Sequence, residues 1–233
     1  MKRFYKQVEI TAAQGGFQVT LDGRPVKTVQ GHAQIAPTRA LAEALAGEWD
    51  AQGETIDPAS LPRRDMADYA IDVVAASPEG LVDKLTAYGD TDTLLYRADP
   101  DEPLYARQMQ VWEPIVTTFE AREGVSLKRI SGVIHARQSD EALAAMRSRL
   151  ARLDPFQLAG TEAMVSLAAS LIIGLAASEA DADADALSLW RAASLEEEWQ
   201  ADLWGRDEEA EARTSRREAD FLTACHFVQL AAG

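Results

Sequence analysis

The chain has 233 residues with 38 Asp and Glu against 23 Lys and Arg, a formal net charge of −15. Such an acidic surface repels phosphate backbones and argues against a nucleic-acid reader, which needs at least one basic face. A hydrophobic share of 47% and a charged share of 26% are those of a folding chain, long enough for one large core or two small ones.

The opening Met1-Lys-Arg-Phe-Tyr-Lys leads into alternating polar and apolar residues. It lacks the continuous apolar stretch of a signal peptide, so the chain reads as untargeted, and its single cysteine suits a reducing compartment. Residues 4–10 and 16–21 alternate as half-buried strands do. Asp22-Gly23 supplies a hairpin turn, and Pro25 starts a returning edge strand expected to reach about Val29. A small antiparallel sheet over residues 3 to about 36 is predicted. Gly15-Gly16 lies between two of these strands and not before a helix, so it is no phosphate cradle.

From Thr38 the period becomes helical, with Leu41, Leu45 and Trp49 on one face and Thr38 as the cap. Further helices are predicted over 65–76, from Ser77-Pro78-Glu79 to about Gly89, and over 103–123, where Pro114 should kink or split the helix. Residues 125–134 could form a short strand pair around Gly132. A helix over 140–153 precedes the start signal Asp154-Pro155-Phe156-Gln157 of a long one, 155 to about 178, whose small residues place it centrally. Its apolar run, 163–177, is interrupted by Ser166, Ser170 and Gly174 and is too short for a bilayer span of roughly 20 residues. The last two helices are predicted from about Asp185 to Trp204, stopped by Gly205, and from Asp207 to about Leu230. The reading is an α+β protein, with a small N-terminal antiparallel β domain with flanking helices over 1–76 and a larger helical domain over 77–233.

Charge follows this division. Residues 1–40 are net +4, residues 41–178 net −10 and residues 179–233 net −9.

No nucleophile elbow or triad pattern occurs around His32, His135 and His226, and neighbours Cys225 and His226 diverge by about 100° on a helix. With one cysteine, neither a disulfide framework nor a Cys-rich metal site is available. Asp65, Asp68 and Asp72 share a helix face and, with Asp90 and Asp92 of Gly89-Asp-Thr-Asp-Thr, could hold Mg²⁺ in a hydrolase. Arg63 and Arg64 beside them favour salt-bridged structure instead. Asp181, Asp183 and Asp185 start like a calcium loop but lack its Gly and final Glu, and read as a solvated turn. The run 194–210 sets Trp199 and Trp204 among seven carboxylates. The tryptophans either face the core, or join the acidic edge in a docking surface for a basic partner.

This run resembles the Atp-twelve family in Glu197-Glu-Trp-Gln-Ala-Asp-Leu-Trp-Gly-Arg-Asp-Glu. Gly89-Asp-Thr-Asp-Thr-Leu-Leu-Tyr-Arg-Ala, Gln108 with Trp112-Glu-Pro, Lys2-Arg-Phe-Tyr and Leu21-Asp-Gly-Arg-Pro-Val-Lys-Thr complete the likeness, in order and over nearly the whole length. The resemblance implies an assembly chaperone and no enzyme: a protein that holds the free alpha subunit of the F-type ATP synthase catalytic sector until the beta subunit replaces it. It implies a β-rich N-terminal and a helical C-terminal domain. It also implies partner-binding acidic residues near the C-terminus. Together with the aromatic reading, the expected contact set is Glu196, Glu197, Glu198, Trp199, Gln200, Trp204 and Asp207. No catalytic residue, metal or cofactor is expected, nor any nucleic acid or membrane insertion, and the free protein is expected to be a monomer. Mitochondrial members carry a targeting extension that this chain lacks, which implies a bacterial, cytoplasmic member. The alternative is the Mg²⁺-dependent hydrolase.

Overall fold

The computed structural model describes residues 1–132, 135–180, 182–205 and 207–233. They form two compact units. One comprises Met1–Pro78 with Leu153–Gly160 and His226–Gly233, the other Glu79–Arg152 with Thr161–Cys225.

The first unit is built on strands β1 (Val8–Ala13), β2 (Gly16–Leu21), β3 (Arg24–Pro25) and β4 (Ile35–Ala36). They are antiparallel in the order β1-β2-β3, with β4 also on β2. Val8 faces Leu21 and Ala13 faces Gly16, leaving Gln14-Gly15 as a two-residue loop. At the predicted Asp22-Gly23 turn both residues have positive φ, 49° and 74°, the conformation whose twist matches paired strands. The Asp22 carboxylate further accepts from the Lys6 and Gln7 amides at 3.0 and 2.8 Å. The first strand starts at Val8, later than the alternation at Phe4 suggests, because residues 6 and 7 bond to that turn. The returning strand is also shorter than expected. After Pro25 the chain leaves the sheet at Thr28–His32, a loop fixed from outside by carboxylates.

Helix α1 (Arg39–Asp50) starts at Thr38, whose hydroxyl accepts from the Leu41 amide at 3.1 Å. It buries Leu41, Leu45 and Trp49 with Val19 and Leu21 of the sheet. Helix α2 (Pro62–Tyr69) runs on through a π-turn at Ala70–Val74. The Glu48 carboxylate caps its start, accepting from the Arg63 and Arg64 amides at 2.9 and 3.0 Å. Phe227 is a full member of this core, stacked on Phe156 with ring centroids 6.1 Å apart.

In chain order the remaining helices are α3 (Pro78–Asp90), α4 (Pro103–Glu123), α5 (Asp140–Leu150), α6 (Pro155–Ala168), α7 (Leu171–Ala177), α8 (Asp183–Ala193), α9 (Leu195–Trp204) and α10 (Glu208–Ala232). Helix α4 is continuous through Pro114, which sits on the exposed face while Gln108, Trp112, Val116 and Phe119 are buried along the other. One lost backbone bond on the solvent side does not split a helix held along its whole buried face. The predicted strand pair around Gly132 is instead a two-residue parallel ladder. Strand β5 (Tyr96–Arg97) pairs with β6 (Ile130–Ser131), and Val133 and Ile134 lie outside the described residues.

Asp154-Pro155-Phe156-Gln157 is the reciprocal cap foreseen. Asp154 Oδ1 accepts from the Phe156 and Gln157 amides at 2.8 and 3.0 Å, and Gln157 Oε1 accepts from the Asp154 amide at 3.1 Å. The helix it opens is interrupted, however. Ala169 adopts φ 49° and Ser170 starts α7 by accepting from the Ile173 amide. Likewise the helix expected over 185–204 is two, divided at Ser194. Among the described residues no helix is long and apolar enough to cross a membrane.

Candidate functional site

The second unit places the C-terminal acidic run by a chain of buried polar contacts. Asp92 of the Gly-Asp-Thr-Asp-Thr segment has no solvent exposure. Its carboxylate accepts from the Leu94 amide at 3.0 Å, the Ser170 hydroxyl at 2.8 Å and the Ile172 amide at 2.9 Å. Thr93 donates its amide and hydroxyl to the Ala169 carbonyl, at 3.2 and 2.8 Å. Thus the Ala169 carbonyl and the Ile172 amide, on either side of the α6–α7 break, are both answered from residues 92 and 93. Burial pushes the Asp92 carboxyl up to about 6 from its ordinary 3.8, against the opposing pull of these hydrogen bonds.

Asp90 accepts from the Gln138 amide at 2.7 Å and meets the His135 ring at 3.2 Å. Arg97 is buried and pairs with Glu113 at 3.0 Å, while Arg129 bridges Glu113 and Glu120 at 2.7 and 2.5 Å. Gln108, fully buried on α4, accepts from the Ala98 amide at 2.8 Å and donates to Glu196 Oε1 at 2.6 Å. Trp112 donates its indole N–H to the Ala192 carbonyl at 2.7 Å. Loop 91–98, α4 and the start of α9 are therefore one polar assembly.

Helix α9 carries most of the predicted contact set, and of its ten residues only Leu195 is fully buried. Glu196 is half-buried, and burial raises its carboxyl above the usual range despite the Gln108 bond. Glu197 and Glu198 are exposed. Both carboxylate oxygens of Glu197 accept from Arg217 Nη1 at 3.0 Å, and the same guanidinium donates to the Leu167 carbonyl at 2.8 Å. Trp199 is half-buried in a cleft of about 340 Å³ shared with Arg107, Val111 and Leu195. Gln200 is exposed, and its Oε1 accepts from the Trp204 indole at 2.9 Å. Trp204 stands 83% exposed. A groove of about 810 Å³ between α9 and α10 is lined by Glu197, Glu198, Gln200, Trp204 and Asp207. Five of the seven predicted residues thus line one concavity, while Glu196 and Trp199 turn to the other sides of α9.

Sequence reading passed over Leu203 and Arg217. Leu203 is 63% exposed beside Trp204, and its place just before the helix-ending Gly205 was the available signal. Arg217 gave none, because its pairing with Glu197 spans 20 positions.

The carboxylates proposed for Mg²⁺ are otherwise engaged. Asp68 accepts from Gln34 Nε2 at 2.6 Å and the Val29 amide at 3.2 Å. Asp72 accepts from the Thr28 hydroxyl at 2.7 Å and the Gln30 amide at 3.1 Å, with His32 Nδ1 at 2.8 Å. These two carboxylates are what holds the 28–32 loop. Asp65 is exposed beside Arg64 at 2.8 Å. Among the described residues no group of three or more His, Cys, Asp or Glu is disposed to hold a metal ion. Asp183 and Asp185 lie in the first turn of α8, and Asp181 and Arg206 lie outside the described residues.

The family model for the ATP12 chaperone protein matches residues 2–120. The chain is 29% identical over 221 residues to the mitochondrial atp12 protein of Schizosaccharomyces pombe, covering 90% of this chain and 75% of that one. It resembles the crystal structure of Atp12 from Paracoccus denitrificans with a TM-score of 0.92 and 38% identity, over 99% of this chain and 98% of that one. The Atu1473 protein of Agrobacterium tumefaciens is similar at a TM-score of 0.92 and 35% identity, over 100% and 86% of the two chains.

Proposed function

The chain belongs to the ATP12 chaperone family, and from that premise we propose that it binds the free alpha subunit of the F-type ATP synthase catalytic sector. It prevents that subunit from aggregating until the beta subunit takes its place. The family match is the observation that carries this reading, and a chaperone is a binding protein and not an enzyme. An unassembled subunit exposes apolar interface, and its chaperone must cover that area yet release it. The contact region is α9 with the start of α10, through Glu196, Glu197, Glu198, Trp199, Gln200, Trp204 and Asp207. The protein acts as a monomer in a bacterial cytoplasm.

Co-expression of this chain with an aggregation-prone alpha subunit tests the reading. Soluble alpha subunit and co-purification are expected, and unchanged insolubility with no complex sinks it. Charge reversal sharpens the site. Glu198→Lys, on an exposed position, should weaken co-purification while changing stability by no more than about 0.5 kcal/mol. Glu196→Lys should destabilise the protein itself by roughly 1–3 kcal/mol, because it strips Gln108 of its acceptor and half-buries an ammonium. Urea denaturation of both variants separates the two effects.

A further inference from the structure

Four of the five tryptophans find cover. Trp49, Trp112 and Trp190 are buried and Trp199 is half-buried. Trp204 does not, although nothing about its sequence distance forbids it. At 83% exposure it is the most exposed large hydrophobic side chain among the described residues, and its neighbour Leu203 is 63% exposed. Among the described residues of the second unit only one other large hydrophobic residue, Met109, is exposed, so the pair is not part of a general scatter. Isolated apolar side chains on a surface are ordinary, whereas two large exposed ones in the last turn of one helix make that helix end apolar.

The indole is also held. Its N–H is bonded to Gln200 Oε1, one turn back on α9, at 2.9 Å, so the polar edge is satisfied on the helix and the apolar face is left for something else. Gly205, at φ 98°, ends the helix immediately after, so the pair stands at the C-terminal end of α9. An aromatic group fixed before contact loses little rotamer freedom on binding, which is what makes such residues effective anchors.

Charge selects the partner. Residues 195–211 contain eight carboxylates and one arginine; Arg213 and Arg217 also line the groove beside Trp204, and Arg217 is engaged by Glu197. Among the described residues no cation pairs with Glu198 or Asp207, which share the groove with Trp204, or with Glu208 and Glu209 that follow.

We propose that Leu203 and Trp204 form a preorganised apolar anchor that inserts into an apolar cleft rimmed by arginine or lysine on the partner protein. The acidic side chains around it meet that rim. This rests on the alpha-subunit reading and deepens it, since it makes the C-terminal end of α9 the inserting element and the partner the receiving one.

The test is the kinetics of the full-length chain binding immobilised alpha subunit. Leu203→Ala/Trp204→Ala should dissociate about 30-fold faster or more, while Trp204→Phe, which keeps an apolar ring but loses the N–H that holds it to Gln200, should fall between that variant and wild type. Glu198→Lys/Glu208→Lys should mainly slow association and weaken its salt dependence. Circular dichroism should be unchanged in every variant, because all four positions are exposed. Wild-type binding with unaltered dissociation of the double-alanine variant overturns the anchor and leaves the chaperone reading standing. No binding by wild-type protein overturns the reading, and the anchor's partner with it. A wild-type dimer in sedimentation that the double-alanine variant abolishes also overturns the proposal, since the tip would then serve a second copy of this chain.

Discussion

A carboxylate with no access to water, Asp92, is the residue on which the second unit's geometry turns. It receives the Ser170 hydroxyl and the Ile172 amide, and so fixes the place where one small-residue helix becomes two. The sequence offered this side chain as a metal ligand, because alternating aspartates look alike whether they point at an ion or at a helix start. The linkage to pH is definite. Its folded pKa, about 6, stands above the unfolded value of 3.8, so between these values the folded state holds more protons than the unfolded one. Asp92 therefore favours folding most at low pH, and that contribution is lost as pH rises from about 4 through 6. Asp92→Asn removes the titration. Measured by urea denaturation, the variant's stability relative to wild type should rise by up to about 3 kcal/mol between pH 4 and pH 7. A difference flat across that window refutes the assignment.

At the scale of elements, signals confined to a few neighbouring residues were legible. Thr38, Asp22-Gly23 and the Asp154-Gln157 box sit where periodicity and cap chemistry placed them, since each satisfies backbone groups within three or four positions. The breaks at Ala169 and Ser194 were not legible. Neither carries a Pro or Gly, and each exists because distant packing and hydrogen bonding outweigh local helix preference. Helix α7 shows how tight that packing is. A Cβ on Gly174 would lie 2.4 Å from Val165 Cγ2 and 3.3 Å from the Val165 nitrogen. Gly174→Ala, which would stabilise an open helix, should here cost a net of about 1–2 kcal/mol. Thermal or urea unfolding checks it, and a more stable variant would show that α6 and α7 can yield.

For the molecule as a whole, the net charge of −15 is unevenly held, and the exposed carboxylates of α9 and early α10 belong to its most acidic stretch. A field of this kind speeds encounter with a basic surface and is screened within about 10 Å at 0.1 M salt. Raising ionic strength from about 0.05 to 0.5 M should slow association with the alpha subunit by about tenfold or more, with little change in dissociation. Equal slowing of both steps, or of neither, in surface-binding kinetics would remove steering from the account.

What the sequence determined by itself is the ordered set of local choices: a basic sheet first, helices after it, turns and caps at named residues, and an acidic, Trp-bearing end. Backbone sterics and nearest neighbours suffice for these. Only the tertiary structure decided which side chains of that end face water, that Phe227 completes the core around the N-terminal sheet, and that Asp92 meets Ile172 across 80 positions. Burial is a property of what surrounds a residue in space, and on α9 it covers Leu195 while leaving Leu203 and Trp204 outside.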